Sequence, residues 1–364
     1  MISYIRRLSQ NGFLGVYMGF DATYGSLIKL LRGKTIAVVY IFEKEDADGF
    51  NHYWVWKSDI ISGWLNAVQE LECLPFILDV RTFVQKASNR TLPHIDYVLN
   101  LNCGCYDLSS LSLVPSVCSF LSVPCVPCNA VSIISSENKR ISNLIASGMN
   151  LNVPKPLETS CNEGIYRPLN LGSSIGVKKG RFRDFANDGI YQEFIPGYDV
   201  TIPVVYNPYI KDIDLLPPVL YLPKSSDPDW IYSEEEKVNN NGFITLPFLE
   251  IEEKAKKELI NFSRVFPIQT FGRIDGRIRC MDKKLSDEII EKPLKFKDLY
   301  FIEINSMPTI ERDDSFEFSF DIVQKNEHHS FYNCTMKYKE IITNPTINGF
   351  LLSCSMLSLS KAMC

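Results

Sequence analysis

The nine residues from Lys34 to Phe42, Lys-Thr-Ile-Ala-Val-Val-Tyr-Ile-Phe, are apolar at nearly every position. A strand that alternates apolar and polar residues can keep one face in water, whereas a continuous apolar strand must be covered on both faces. Cover on both faces is typical of a parallel sheet whose strands are joined by helical crossovers. This run therefore predicts an open α/β unit near the start of the chain.

The residues that follow continue the alternation of strands and helices. Apolar residues at helical spacing predict a helix from Ser58 to Glu72. Short apolar runs predict strands at 75–80, 96–102 and 123–126, the last after a candidate helix at 109–121. We therefore expect an N-terminal α/β domain over residues 1–130.

The pattern changes after this first domain. Capping residues predict a helix that opens at Ser135 and ends at Gly148, and short strands separated by glycine turns follow at 164–168, 174–178, 191–195 and 200–206. Such strands are typical of antiparallel sheet. A helix at 250–266, strands at 270–279 and 299–305, and a terminal helix around 349–363 complete the prediction. We expect a small central domain over 131–197 and a C-terminal α+β domain over 198–364, which 364 residues can accommodate.

The composition indicates which binding partners and which cellular compartment to expect. The chain has 38 basic and 43 acidic side chains and no basic tract, so we expect no nucleic-acid partner. No window approaches the roughly 20 apolar residues of a membrane span. The eleven cysteines are odd in number and scattered through a long chain, which favours reduced thiols and a cytoplasmic location. The lone Cys125-Val-Pro-Cys128 motif is better explained by small buried side chains than by zinc or redox chemistry.

The last two predicted strands each direct two polar side chains to one face. Because strand side chains alternate, Arg273 and Asp275 point the same way, as do Glu303 and Asn305. Their neighbours are apolar, so an unpaired charge here would be costly. Carboxylate and amide oxygens are ligands that magnesium prefers. The alternative is a salt bridge between Arg273 and Glu303 across neighbouring strands.

A glycine- and serine-rich segment, Leu171 to Val177, follows a strand that carries Arg167. Its glycines let the backbone approach an anion closely, and Ser173 and Ser174 add hydroxyl and N–H donors. The segment is not a Walker A loop, because it lacks the Gly-Lys-Ser/Thr ending and a following helix. A phosphate-binding loop and a simple hairpin turn are both compatible with it.

A proline-glycine break interrupts the segment Tyr191 to Thr201. Backbone groups near Phe194 and Ile195 could pair with an adenine edge, and Asp199 could accept hydrogen bonds from a ribose. A β-turn between strands explains the segment equally well. The polar run from Ser233 to Asn241 is either a mobile lid or a solvated connection.

Five strings in order resemble the ATP-grasp superfamily, and within it the D-alanine–D-alanine ligase family. They are Asn138-Lys139, Arg167 to Val177, Gln192 to Thr201, Gly272-Arg-Ile-Asp275 and Glu303-Ile-Asn-Ser-Met-Pro308. The resemblance is specific from about residue 135 to 316 and weaker in the first α/β part. It implies an ATP-grasp fold with the ATP cleft between the central and C-terminal domains.

The resemblance also implies residue roles. Lys139 and Arg167 would bind phosphate, although arginine stands where the family usually has lysine. Ser173 would contact the substrate region, Arg273 would be the transition-state cation, and Lys237 would reach phosphate from a closing loop that also holds Tyr232. The adenine hinge would be formed by Gln192, Glu193, Phe194 and Ile195, and Asp199 would contact the ribose. The ligands of Mg²⁺ or Mn²⁺ would be Asp275, Glu303 and Asn305. Ser315 and Phe316 would bind a substrate carboxylate.

Three departures from the family lie on the amino-acid side. Asp48 to Trp54 lacks the glutamate that would orient the first amino acid's ammonium, Leu101 to Gly104 replaces a His-Gly signature, and Thr309 replaces a glycine. The resemblance therefore implies a retained nucleotide half and an altered substrate half.

The leading hypothesis is an ATP-dependent ligase that joins a carboxylic acid to an amine through an acyl phosphate, using ATP and magnesium. Its substrates would be amino acids or peptides, either D-alanine or others from a specialised pathway. A nucleotide-binding module without turnover is the alternative from another class. We expect no membrane partner, and a homodimer is compatible with the sequence.

Overall fold

The computed structural model describes residues 24–42, 56–104, 108–157, 163–225, 227–239, 242–248, 250–280, 293–311 and 314–361. The segment Asp48 to Trp54, at which the resemblance departs from the family, lies outside these residues. The helices are α1 (24–29), α2 (Ser58–Glu70), α3 (Val80–Ser88), α4 (Leu108–Leu111), α5 (Leu113–Leu121), α6 (Ala130–Glu137), α7 (Lys139–Gly148), α8 (Glu234–Asn239), α9 (Glu253–Val265), α10 (Ser315–Val323), α11 (Tyr332–Ile341) and α12 (Ile347–Lys361). The strands are β1 (Thr35–Tyr40), β2 (Leu74–Asp79), β3 (Tyr97–Asn100), β4 (Cys125–Val126), β5 (Glu163–Pro168), β6 (Lys178–Arg181), β7 (Gly189–Glu193), β8 (Gly197–Asn207), β9 (Asp212–Leu215), β10 (Val219–Pro223), β11 (Phe243–Pro247), β12 (Phe271–Arg279) and β13 (Leu299–Asn305).

The first sheet is parallel and has the strand order β2-β1-β3-β4. Strand β1 lies inside it, and its residues Ile36 to Val39 are fully buried, as its continuous apolar character predicts. Helix α3 was not predicted. It begins directly where β2 ends, because the Asp79 side chain accepts a hydrogen bond from Arg81 N and caps the helix.

The second sheet is antiparallel and has the order β6-β5-β7. The predicted strand at 174–178 is wrong. Ser173 and Ser174 adopt positive φ angles of 54° and 62°, so these residues form a turn and β6 begins only at Lys178. Strand geometry requires negative φ angles, which explains why the pairing starts later.

The third sheet is also antiparallel. Its strand order is β11-β10-β8-β12-β13, and β9 pairs with β8. Helix α9 covers one face, where Phe262 meets Phe266 and Phe301 edge to face. The long strands β8 and β12 pair along nine residues and form the centre of this sheet.

The helix predicted from Ser135 to Gly148 is two helices. Asn138 ends α6 and caps α7, because its side-chain oxygen accepts hydrogen bonds from Arg140 N and Ile141 N, both at 3.1 Å. The cap is therefore Asn138 and not Ser135. As a result, Lys139 is the first residue of α7.

The C-terminal helices pack against the first sheet and its helices. Tyr338 Oη donates to Glu70 Oε1 at 2.5 Å, and Tyr97 Oη donates to Met356 O at 3.4 Å. One apolar core thus joins α2 to α12. Among the helices of the described residues, none is both long enough and apolar enough to cross a membrane.

Candidate active site

Two strands bring four predicted site residues together. In the β12–β13 ladder Arg273 lies opposite Asn305, and Asp275 lies opposite Glu303. Arg273 donates to Asp275 Oδ2 from Nε at 3.1 Å and from Nη2 at 2.9 Å. Thr201 Oγ1 donates to the other Asp275 oxygen at 2.7 Å. The four polar groups therefore occupy one face, as strand alternation predicts.

Lys139 reaches the same face from the start of α7. Its Nζ lies 3.2 Å from Glu303 Oε2 and donates to Leu171 O at 2.6 Å. The salt bridge considered between Arg273 and Glu303 is not the pairing in the structure, because Arg273 pairs with Asp275 and Glu303 pairs with Lys139. Burial alone would raise the pKa of Glu303, but the surrounding cations lower it, and Glu303 is therefore an ionised carboxylate.

Arg167 and Gln192 form a buried network behind this face. Arg167 Nη1 donates to Ile302 O at 2.9 Å, and Nη2 donates to Gln192 Oε1 at 2.6 Å. The Gln192 amide donates in turn to Asn143 Oδ1 and Pro154 O. Burial lowers the pKa of Arg167. Both side chains therefore form hydrogen bonds within the protein. The role of Gln192 in the adenine hinge stays a prediction.

The glycine- and serine-rich turn meets helix α8. Ser174 Oγ donates to Tyr232 O at 2.8 Å, and Lys237 Nζ donates to Ser174 Oγ at 2.9 Å. Lys237 also lies over the Tyr232 ring, 4.9 Å from its centroid. Burial lowers the pKa of Lys237, and Arg273 lowers it further, because a second cation lies nearby. The polar run from Ser233 to Asn241, for which a mobile lid and a solvated connection were both compatible with the sequence, is helical over Glu234–Asn239. It contacts the turn through Lys237 and Ser174.

The residues predicted to form the adenine hinge lie around Arg277, an arginine that the sequence analysis did not single out. Arg277 donates from Nε to Ile195 O at 2.8 Å, from Nη1 to Asp199 Oδ2 at 2.7 Å, and from Nη2 to Gly197 O at 2.5 Å and Trp230 O at 3.0 Å. Strand alternation from Arg273 and Asp275 was the signal that could have found it, since residue 277 is the next on that face.

Two further residues of the predicted hinge, Glu193 and Phe194, also interact with neighbouring side chains or backbone. Glu193 Oε1 accepts a hydrogen bond from Lys155 N at 3.1 Å. The Phe194 ring has Lys179 Nζ 3.9 Å from its centroid and the Arg277 guanidinium 5.0 Å from it. Cations over an aromatic face stabilise both partners. The ring is thus held in a defined orientation next to the predicted ribose contact, Asp199.

Glu137 is a second residue that sequence analysis missed. Its Oε1 atom is enclosed and has no hydrogen-bond partner among the described residues. Burial, and the nearby Glu303 carboxylate, raise the pKa of Glu137 to about 7. It immediately precedes the Asn138-Lys139 string, but nothing in that string required a buried carboxyl.

An aromatic cluster borders the site on β10, β11 and the segment before α8. Tyr232 stacks on Tyr221 with centroids 4.7 Å apart and on Trp230 with centroids 5.6 Å apart. Phe243 meets Tyr232 edge to face at 4.9 Å. Burial raises the pKa of Tyr232, while Arg273 opposes the rise, so the cluster lies within electrostatic reach of the charged face.

The predicted substrate-carboxylate pair lies away from solvent. Ser315 begins α10, where Asp314 caps the helix, and its exposed fraction is 1%. Phe316 is 0% exposed and meets Phe271 edge to face. In this conformation neither side chain has a surface that a substrate could touch. Their assignment, like the roles of the other site residues, stays a prediction.

The donor set is suited to magnesium and to phosphate. Asp275, Glu303 and Asn305 supply hard oxygens, and burial raises the pKa of Asp275, a cost that a bound cation would relieve. Asn305 Oδ1 accepts a hydrogen bond from Met307 N at 2.8 Å, which fixes the amide oxygen beside the carboxylates. Among the described residues no group of three or more histidine, cysteine, aspartate or glutamate side chains forms a metal cluster. A site here would therefore rest on two carboxylates, the amide and phosphate oxygens.

No protein-family model matches the chain, and no curated protein matches it. Solved structures do. The D-alanine–D-alanine ligase of Bacillus anthracis matches with a TM-score of 0.57 and 14% identity, over 91% of this chain and all of that one. The same enzyme complexed with ATP matches with a TM-score of 0.54 and 14% identity, over 84% of this chain and 95% of that one. The D-Ala:D-Ser ligase VanG of Enterococcus faecalis matches with a TM-score of 0.53 and 13% identity, over 85% of this chain and 99% of that one. The chain therefore has an ATP-grasp fold that resembles the fold of the D-alanine–D-alanine ligases.

Proposed function

We propose that the protein is an ATP-dependent ligase that joins the carboxylate of one small substrate to the amine of another. The observation that carries this proposal is the 3.2 Å contact between Lys139 Nζ and Glu303 Oε2. It brings a residue of the central region next to the paired carboxylates of β12 and β13. Cations and carboxylates that meet where α7 packs against β13 are suited to holding a polyphosphate and a divalent cation.

In the proposed reaction, a substrate carboxylate oxygen attacks the γ-phosphorus of ATP, the bond from phosphorus to the β,γ-bridging oxygen breaks, and ADP leaves. The amine of the second substrate then attacks the acyl phosphate, and inorganic phosphate leaves as the amide forms. Lys139 and Arg273 would offset negative charge on the transferred group. Magnesium held by Asp275, Glu303 and Asn305 would neutralise phosphate oxygens.

The contact of Lys237 with Ser174 gives the closing segment a role in this proposal. An acyl phosphate is hydrolysed if water reaches it, so a segment that covers the site protects the intermediate. The α8 segment already touches the glycine- and serine-rich turn, through a hydrogen bond of 2.9 Å. We propose a cytoplasmic location, which the free thiols of the described cysteines support.

The substrate pair is proposed as amino acids or peptides. The solved relatives are ligases of D-alanine with D-alanine or D-serine by their names. Leu101 to Gly104 and Thr309 depart from that family's substrate side. We therefore place D-alanine and other amino acids or peptides on equal terms as substrates.

The test is ADP release with ATP, magnesium and single amino acids, then pairs. A dipeptide from D-alanine alone would identify the cell-wall reaction, and a product from another pair would identify a specialised ligase. Glu303→Ala combined with Asn305→Ala should abolish ADP release, whereas Glu340→Gln, on an exposed helix surface, should not. Turnover that survives the double substitution would disprove the assignment. Magnesium-dependent ATP binding without ADP release across the panel would instead indicate a binding module.

A further inference from the structure

A β-bulge lies in strand β13, directly before one of the predicted metal ligands. In the ladder with β12, Phe301 and Glu303 pair with two consecutive residues of the neighbouring strand. Ile302, between them, is therefore an extra residue without a partner in that ladder. A bulge leaves one residue outside the pairing and changes the direction in which the neighbouring side chains point. The bulge at Ile302 therefore affects the direction of the Glu303 side chain.

The bulge allows Phe301 and Glu303 to lie on opposite faces of the sheet. In a regular strand, residues i and i+2 point the same way, so these two side chains would share a face. In the structure the Phe301 ring meets Phe262 of α9 edge to face, with the centroids 4.8 Å apart. Glu303 instead pairs with Lys139 on the charged face. If Ile302 entered the ladder and the bulge were lost, one of the two side chains would turn to the wrong face.

Two side chains of the central region hold the bulge. Arg167 Nη1 donates to Ile302 O at 2.9 Å, and Asn143 Nδ2 donates to the same oxygen at 3.2 Å. Arg167 extends from β5, and its other terminal nitrogen, Nη2, donates to Gln192 Oε1 at 2.6 Å. The arginine is 5% exposed, and its Nε is enclosed. Both ends of the guanidinium are therefore bonded to acceptors of the protein.

We propose that Arg167 is a positioning residue, which holds the bulge at Ile302 and thereby directs Glu303 to the charged face. A planar guanidinium can bridge two acceptors at fixed angles, whereas a lysine ammonium is a single point of charge. The family resemblance implies phosphate binding at this position, where lysine is usual. Here the arginine has a different task, and Lys139 and Arg273 are the cations that face the phosphates. In its effect on turnover, this inference rests on the proposed ligase function, because it concerns a ligand of the metal.

The first arm of the test uses the magnesium dependence of ADP release. Arg167→Lys keeps the charge and supplies the family's usual residue, but it cannot bridge the two acceptors. It should raise the Mg²⁺ concentration for half-maximal rate on the order of 10-fold and leave the KM for ATP at saturating Mg²⁺ unchanged. Arg167→Met should do the same. Arg140→Lys is the matched control, because Arg140 also donates to backbone oxygens, but to those of residues 187 and 189 and not of β13.

A role of Arg167 in phosphate binding predicts a different pattern. In that case Arg167→Met would raise the KM for ATP, and Arg167→Lys would have little effect. A rise in the KM for ATP in either variant, or an unchanged Mg²⁺ dependence, would overturn the proposal. The separation of the Mg²⁺ dependence from the KM for ATP is the readout that general damage to the fold would not produce.

The second arm does not need turnover, because amide hydrogen exchange reports how readily a strand opens. In Arg167→Lys, exchange in Leu299–Asn305 should be on the order of 10-fold faster than in the unmodified protein, and exchange in β1 and β3 should not change. Arg140→Lys should match the unmodified protein in β13.

Two results of the exchange measurement would overturn the proposal. Equal acceleration in β1, β3 and β13 would show general destabilisation, and no acceleration in β13 would show that the bulge does not depend on Arg167. If no substrate yields ADP, the proposed function fails, yet hydrogen exchange still decides whether Arg167 holds the bulge.

Discussion

Arg277 Nη1 donates to Asp199 Oδ2 at 2.7 Å, so the carboxylate predicted to bind ribose is held by an arginine two residues beyond Asp275. The same guanidinium bonds to Ile195 O in the predicted hinge, to Gly197 O at the start of β8 and to Trp230 O before α8. One buried side chain thus joins three segments that sequence analysis treated separately. Its removal should affect nucleotide binding more than chemistry.

We expect Arg277→Met to raise the KM for ATP on the order of 10- to 100-fold, with a smaller change in kcat, and to lower the free energy of unfolding by about 3 kcal/mol. The reason is that Asp199 loses its partner and the hinge carbonyls lose their donors. Arg277→Lys should recover part of the affinity. Arg264→Met, which breaks a surface ion pair with Asp212, is the control and should change little. Steady-state kinetics and urea unfolding measure both effects, and an unchanged KM for ATP would contradict the expectation.

The hydrogen bond from Lys237 Nζ to Ser174 Oγ predicts coupling between the closing segment and the turn. Ser174→Ala and Lys237→Met should each lower kcat/KM by roughly 10-fold. The double variant should lower kcat/KM by less than the product of the two single effects, because both single variants remove the same contact. Ser174→Ala combined with Lys224→Met, an exposed lysine, should be additive. Strict additivity of Ser174→Ala with Lys237→Met would mean that the contact does not act in turnover.

Gly197 has no room for a side chain. Its φ is +141°, and a Cβ at this position would lie 1.9 Å from Ile278 O, in the neighbouring strand β12. Gly197→Ala should therefore lower the free energy of unfolding by about 3 kcal/mol, since β8 and β12 must separate. Gly180→Ala is the matched control, because Gly180 has a φ of +156° and nothing within 4 Å. Equal losses of stability in the two variants would show that backbone strain alone decides the effect.

His329 predicts a loss of stability in mild acid. Burial lowers its pKa to about 4, with Asp214 opposing and Lys256 adding to the effect. The folded state therefore favours neutral His329, so its contribution is complete above the unfolded pKa of about 6.5 and is lost as the pH falls toward 4. We expect His329→Asn to remove about 2 kcal/mol of the decrease in unfolding free energy between pH 7 and pH 4. His328→Asn, at the exposed neighbouring residue, should leave the decrease unchanged when urea unfolding is measured at each pH.

The sequence by itself determined the elements whose cause is local. The apolar run at β1 required burial on both faces, and the alternation in β12 and β13 placed Arg273, Asp275, Glu303 and Asn305 on one face. Five sequence strings that resemble the ATP-grasp superfamily in their order predicted this fold, and the matching solved structures have it. Local rules failed where a single residue decided the outcome, as at Asn138, which divides one predicted helix into two.

Only the tertiary structure decided which charges meet. Lys139 and Glu303 are 164 residues apart, and their contact depends on how α7 packs against β13. The same holds for Arg277, whose partners lie on three segments, and for Glu137, whose buried carboxyl accepts a hydrogen bond from the backbone N–H of Ser306, just after β13. Spacing along a strand fixes the face of a side chain, but the partner across a cleft depends on the packing of the whole chain, which no local pattern encodes.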